Sequence, residues 1–216
     1  MMYTKIFHLL LLLNLSALAI PPELQTELDK RSDEKFDILC DFDFENTTYE
    51  KLSPKWIPIK GKYEVLEGKL EGRELAEDKH VSTSGMDLDI GHSALVYFEV
   101  QLHQAKNVIV TLNGKGPGKG HICRVVLTPN FLRVQSDCKP KAVYETRKQK
   151  YSIDKYYKIL LELNHDQLTA RVLNAENSEP LSIKHDYINW PIDNIRWAVG
   201  KGPARIDNLT VVKLKK

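Results

Sequence analysis

From residue 36 onward, apolar and polar side chains alternate over short stretches, and turn residues interrupt each stretch before it grows long. Phe36, Ile38, Cys40, Phe42 and Phe44 stand against Asp37, Leu39, Asp41 and Asp43. Period-two alternation puts one set of side chains on each face of a strand. The pattern predicts further strands over 56–59, 63–66, 69–75, 81–84, 94–102, 108–112, 121–127 and 131–135. It continues with 156–163, 168–173, 181–184, 195–199 and 206–214. Glu67-Gly68, Thr128-Pro129-Asn130 and Asn164-His165-Asp166 supply tight turns between neighbours. No helical period separates successive strands, so βαβ units are excluded and the strands must pair antiparallel. The expected fold is all-β, an antiparallel β-sandwich over residues 36–216.

The first 35 residues obey different rules. Lys5 precedes an apolar run over 6–13 broken only by His8, and Ala17-Leu18-Ala19 offers a small-x-small cleavage site. Residues 1–19 therefore read as a signal peptide, too short to span a bilayer, and the protein is expected to be secreted or periplasmic with no membrane insertion. Residues 20–35 are charged and read as a linker or a short exposed helix.

Cleavage would leave about 197 residues, enough for one β-sandwich. The formal charge is +2, falling to +1 once Lys5 is removed. That balance gives no general attraction for nucleic acid, so none is expected as a partner, and a monomer is the expected state. Lys139, Lys141, Arg147, Lys148, Lys150 and Lys155, with Tyr144 and Tyr151 among them, form a local basic stretch. It reads as a solvated hairpin extension or as a track for an anionic polymer. The cysteines are Cys40, Cys123 and Cys138. Cys123 and Cys138 flank one turn and lie within reach of a disulfide, against the alternative of buried thiols packed as small apolar groups. No Cys/His spacing suits zinc. Of the tryptophans, Trp197 reads as core and Trp190, beside Pro191, as the exposed one.

Three stretches together resemble a known group. They are the run from Tyr63-Glu64-Val65-Leu66-Glu67-Gly68-Lys69-Leu70 to Asp78-Lys79-His80, then Gly120-His121-Ile122-Cys123-Arg124-Val125, and the closing Ala204-Arg205-Ile206-Asp207-Asn208-Leu209-Thr210-Val211. This resembles secreted bacterial jelly rolls of the concanavalin A-like group, more narrowly the family labelled 3-keto-disaccharide hydrolase or family 16 glycoside hydrolase-like. The resemblance implies a jelly roll, a carbohydrate partner and activity on glycosidic linkages. The Glu-x-Asp-x-x-Glu strand of true family-16 endoglucanases is missing, so a retaining two-carboxylate mechanism has no support.

Within that frame the expected catalytic residues are Glu74, His80 and His121, with Arg73, Asn113 and Arg124 binding substrate. Arg73, Glu74, Asp78 and His80 follow one strand closely, and a carboxylate beside a histidine makes an acid/base couple. The bland alternative is a solvated polar loop. The glycine-rich stretch after Asn113 joins two strands and contains Pro117, which excludes a phosphate-binding loop and leaves a hairpin tip bordering a groove. In a regular strand His121 shares a face with Cys123 and Val125, and Arg124 takes the other face with Ile122 and Val126. Terminal strands of this group pair, which would bring Asp43 or Glu45 near Asp207 and suit a structural Ca2+. The competing readings are a non-catalytic carbohydrate-binding module and an envelope structural protein.

Overall fold

The computed structural model describes residues 20–52, 56–115, 120–137 and 142–215. The expected signal peptide and Cys138, with its expected bridge, lie outside these residues. The strands in chain order begin with β1 (Lys35–Phe42), β2 (Ile57–Lys60), β3 (Lys62–Leu66), β4 (Lys69–Arg73) and β5 (Ser82–Gly91). Next come β6 (Ser93–Gln101), β7 (Asn107–Gly114), β8 (Gly120–Thr128), β9 (Phe131–Ser136) and β10 (Val143–Lys148). The last are β11 (Tyr156–Asn164), β12 (Gln167–Val172), β13 (Leu181–Lys184), β14 (Ile192–Gly200) and β15 (Ala204–Lys215). A helix, α1 (Pro22–Asp29), precedes them.

These strands form two antiparallel sheets, the expected jelly-roll sandwich. The seven-stranded sheet runs β10-β9-β8-β7-β14-β5-β2. The eight-stranded sheet runs β13-β12-β11-β6-β15-β4-β3, with β1 also on β15. The first and last strands do pair, with Lys35 opposite Lys215 and Phe42 opposite Leu209. The turns obey the local chemistry: Leu66 faces Lys69 across Glu67 and Gly68, whose φ values of 53° and 70° are those of a tight hairpin turn.

Between the sheets lies an apolar core that includes Met86, Phe98, Val110, Val125, Leu161 and Val211. Trp197 sits at its centre, fully buried. Its ring stacks on Trp56 at 5.2 Å between centroids and meets Phe98 edge-on at 6.3 Å. Tyr63 from the opposite sheet donates its hydroxyl to the Trp197 carbonyl at 3.1 Å. Trp190 is the exposed tryptophan, at 42%.

Three local expectations need revision. The segment expected as a linker or exposed helix forms α1, which buries Leu24 and Leu28 against Leu95, Tyr97, Leu160, Val212 and Leu214. Those five residues are the outward side chains of β6, β11 and β15, so this part of the eight-stranded sheet is apolar on both faces and needs a cover. Pro22 at the helix start and Glu23 in its first turn favour the N-terminus, and Glu27 is clamped by Lys30 at 2.8 Å and Arg171 at 2.6 Å. The strand expected over 81–84 runs on to Gly91: Gly85, Asp87 and Asp89 interrupt the apolar pattern, yet β5 pairs β14 as far as Asp87 and, after a register shift, again at Gly91. Part of the basic stretch is itself a strand, β10, paired to β9 along its length.

Truncating the central indole tests the packing. Trp197→Ala should lower unfolding free energy by roughly 3–5 kcal/mol, read as an earlier midpoint in guanidinium titration.

Candidate functional site

On its outward face the seven-stranded sheet carries a groove of about 530 Å3. Its lining includes His80, Thr83, Thr111, Asn113, His121, Arg124, Asn194 and Arg196, with Ile59, Val81, Ile109 and Ala198 between them. The register explains the floor. Arg124 on β8 faces Thr111 on β7, which faces Arg196 on β14, which faces Gly85 on β5. Each of these residues neighbours core side chains in sequence, so alternation turns it away from the core. Gly85 is required there, because a Cβ would stand 2.1 Å from the Ile195 carbonyl and 2.9 Å from Arg196 Cδ. The space it leaves lets the Arg196 side chain lie over β5 and meet Asp87 on the same strand.

Regular alternation placed His121 and Arg124 on opposite faces, but the structure brings both to the groove. The register with β7 shifts between Leu112 and Asn113, so Leu112 faces Cys123 while Asn113 faces His121. Ile122 is the extra residue of this β-bulge, and it is buried together with Cys123. The bulge rephases the strand, and His121 emerges on the same face as Arg124. A second shift, between Ile192 and Asn194 of β14, keeps Ile192 in the core and delivers Asn194 to the groove beside Asn113.

A hydrogen-bonded chain fixes these groups. His121 Nδ1 lies 2.7 Å from Asn113 Oδ1, so Nδ1 carries the proton and Nε2 is the acceptor nitrogen of the neutral ring. Asn113 Nδ2 donates to Asn194 Oδ1 at 2.6 Å, and Asn194 Nδ2 donates to Asp193 Oδ1 at 2.7 Å. His121 stays exposed at the rim, yet the water displaced around it pushes its pKa below the ordinary histidine value. The Arg124 charge pushes the same way and Asp137 opposes it. Arg124 pairs with Asp137 at 2.5 Å, and its buried Nε meets no acceptor among the described residues. These carboxylates aim the guanidiniums; exposed ion pairs of this kind contribute little stability.

His80 reaches the groove from the far side. Asp78 accepts from the Gly61 amide at 2.7 Å, which ties the loop to the β2–β3 turn, and His80 Nδ1 bonds the Val81 carbonyl at 2.7 Å. His80 leads into β5 while His121 lies on β8, three strand spacings or roughly 14 Å across the sheet. The two histidines wall opposite sides of the groove.

The remaining candidates sit elsewhere. Glu74 accepts from the Lys201 amide at 2.9 Å, Arg73 pairs with Glu64 at 3.5 Å, and neither lines the groove. Asp207 meets the Lys69 ammonium at 2.7 Å, and Lys69 also holds Glu45 at 2.7 Å. Asp43 instead accepts from the Glu45 amide at 3.1 Å. A lysine thus fills the cationic position expected for Ca2+, which needs six to eight oxygens, and the residues do not fit the ion. Among the described residues no group of three or more His, Cys, Asp and Glu is placed to hold a metal. Arg196, Asn194 and Thr111 were not anticipated. Arg196 had a readable signal, since it stands between Ile195 and Trp197 as Arg124 stands among apolar neighbours.

No protein-family model matches this chain, and no curated protein does. Solved structures do. The CBM2 module of the evolved Dit of Lactobacillus casei BL23 phage J-1 superimposes with a TM-score of 0.60 at 10% identity, covering 85% of this chain and 98% of that one. The family GH16 endo-β-1,3(4)-glucanase SCLam gives 0.61 at 10% identity, over 82% and 91% of the two chains. The carbohydrate-binding module CBM66 of Bacillus subtilis gives 0.54 at 12%, over 73% and 94%. At these identities the likeness is one of fold. The narrower 3-keto-disaccharide hydrolase resemblance finds no match of its own among family models or curated proteins. No described helix is long and apolar enough to cross a membrane.

The electrostatics of His121 can be read directly by NMR. Its imidazole should titrate below about 6.5, the ordinary value. Arg124→Ala should raise that pKa by removing a like charge, and Asp137→Asn should lower it further.

Proposed function

We propose that this protein binds a saccharide in the groove of its seven-stranded sheet without cleaving it. The lining carries the reading: two guanidiniums, two imidazoles, two carboxamides and two threonine hydroxyls, with no carboxylate among the described lining residues. Glycosidases as a rule place a pair of carboxyl groups, roughly 5–10 Å apart, about the bond they break. Here the acids Asp87, Asp137 and Asp193 bond to arginine or asparagine, and Glu74 lies off the groove. A sugar presents hydroxyls that both donate and accept. Arginine and carboxamide donors with an imidazole acceptor answer both roles.

The asparagine chain behind His121 and the carboxylates behind the arginines hold these groups in place before a ligand arrives. Little ordering would then remain to oppose binding. The fold shared with two carbohydrate-binding modules supports the reading, and an endoglucanase of the same fold keeps hydrolysis as the competing outcome. Export through residues 1–19 would bring the groove to extracellular or periplasmic glycans.

The mature protein should bind members of a glycan panel by calorimetry and release no reducing sugar from them. Arg124→Ala and Arg196→Ala should each weaken binding about tenfold or more, as expected for a charge-assisted hydrogen bond of ~1.5–3 kcal/mol. Release of reducing sugar that disappears in His121→Ala would replace the binding reading with an enzymatic one.

A further inference from the structure

We infer that the ligand is a chain rather than a single sugar, and that it runs across the strands from the groove to an aromatic subsite at Tyr144 on β10. This rests on the binding reading of the groove.

The register that aligns Gly85, Arg196, Thr111 and Arg124 does not stop at the groove. Arg124 faces Gln135 on β9, and Gln135 faces Tyr144 on β10. Arg196 and Tyr144 are thus ends of one cross-strand row spanning four strand spacings, roughly 19 Å. The row is continuous in its polar contacts as well. Asp137 takes Arg124 on one carboxylate oxygen and Gln135 Nε2, at 2.8 Å, on the other.

Among the described residues Tyr144 is the most exposed of the large hydrophobic side chains, at 63%. A single exposed aromatic is ordinary on a protein surface. This one is held in place. The Arg133 guanidinium lies 5.1 Å from the centroid of the Tyr144 ring and 5.1 Å from that of Phe131. Arg133 Nε in turn donates to Thr146 Oγ1 at 2.9 Å. A ring fixed by a cation whose own position is fixed presents a firm surface at little entropic cost.

The two regions are complementary. The groove has polar groups for hydroxyls and no Phe, Tyr or Trp among its described lining residues, so it offers no large apolar ring for stacking. Tyr144 supplies one at a distance that a single sugar in the groove cannot reach. Its partner in the basic stretch, Tyr151, is buried at 3% and belongs to the core. A chain long enough to cover both regions gains the second contact intramolecularly, so affinity should rise with length.

An array of neutral and acidic glycans, each present as disaccharide and octasaccharide, tests this with the wild-type chain, Tyr144→Ala, Tyr144→Phe and Arg124→Ala. For the glycans that bind, the octasaccharide should bind more tightly than the disaccharide. Tyr144→Ala should cost the octasaccharide roughly three- to tenfold and leave the disaccharide unchanged, the magnitude of one aromatic contact. Tyr144→Phe should behave as wild type, which ties the loss to the ring. If Arg124→Ala weakens every ligand while Tyr144→Ala matches wild type at both lengths, the extension is overturned and the groove reading stands. If the wild-type chain binds nothing on the array, both fall.

Discussion

Trp197 ties the two sheets together, and the position of every groove residue on β14 follows from it. Its ring packs between Trp56 and Phe98, and its carbonyl accepts from Tyr63 of the opposite sheet. With that side chain pinned inward, Arg196 and Ala198 must point outward, because a one-residue slip would exchange the two faces of the strand. The slip would carry a guanidinium into the core, at a cost no local contact offsets. The register of the core thus sets the chemistry of the opposite face.

The strands were legible because each buries one face and their alternation survives in the sequence. Where both faces are covered the signal changes character. Residues 94–98 are apolar almost without a break, which is the mark of a strand buried on both sides, and α1 is the cover that this run demands. Eight residues of helix with two leucines at i and i+4 give too weak a period to stand alone, so the helix could be read only as the answer to the strand. Gly85, Asp87 and Asp89 concealed half of β5 for a different reason: Gly85 and Asp87 serve the groove face through Arg196, while Asp89 pairs with Lys213.

The candidate groove was legible in some of its residues, His80, Asn113, His121 and Arg124, and illegible as an arrangement. Polar side chains among apolar neighbours marked Arg124 and His121. Strict alternation then assigned them to opposite faces, because a bulge inserts one residue without leaving a trace in composition. Glu74 and His80 are close in sequence but diverge in space. The amide of Lys201 draws Glu74 away, while the turn at Gly61 draws the loop before His80 toward the groove. Such choices are made by partners distant in sequence, and a local reading has no access to them.

The order of the strands has a consequence for how the domain comes into being. β14 lies between β7 and β5, and β15 joins β6 to both β4 and β1, so each sheet is divided until its latest strand arrives. A growing chain that has emerged only as far as β13 can pair β6, β11, β12 and β13 in one run and β7 to β10 in another, but neither layer can close. Closure of both sheets must therefore wait until the last two strands have left the ribosome.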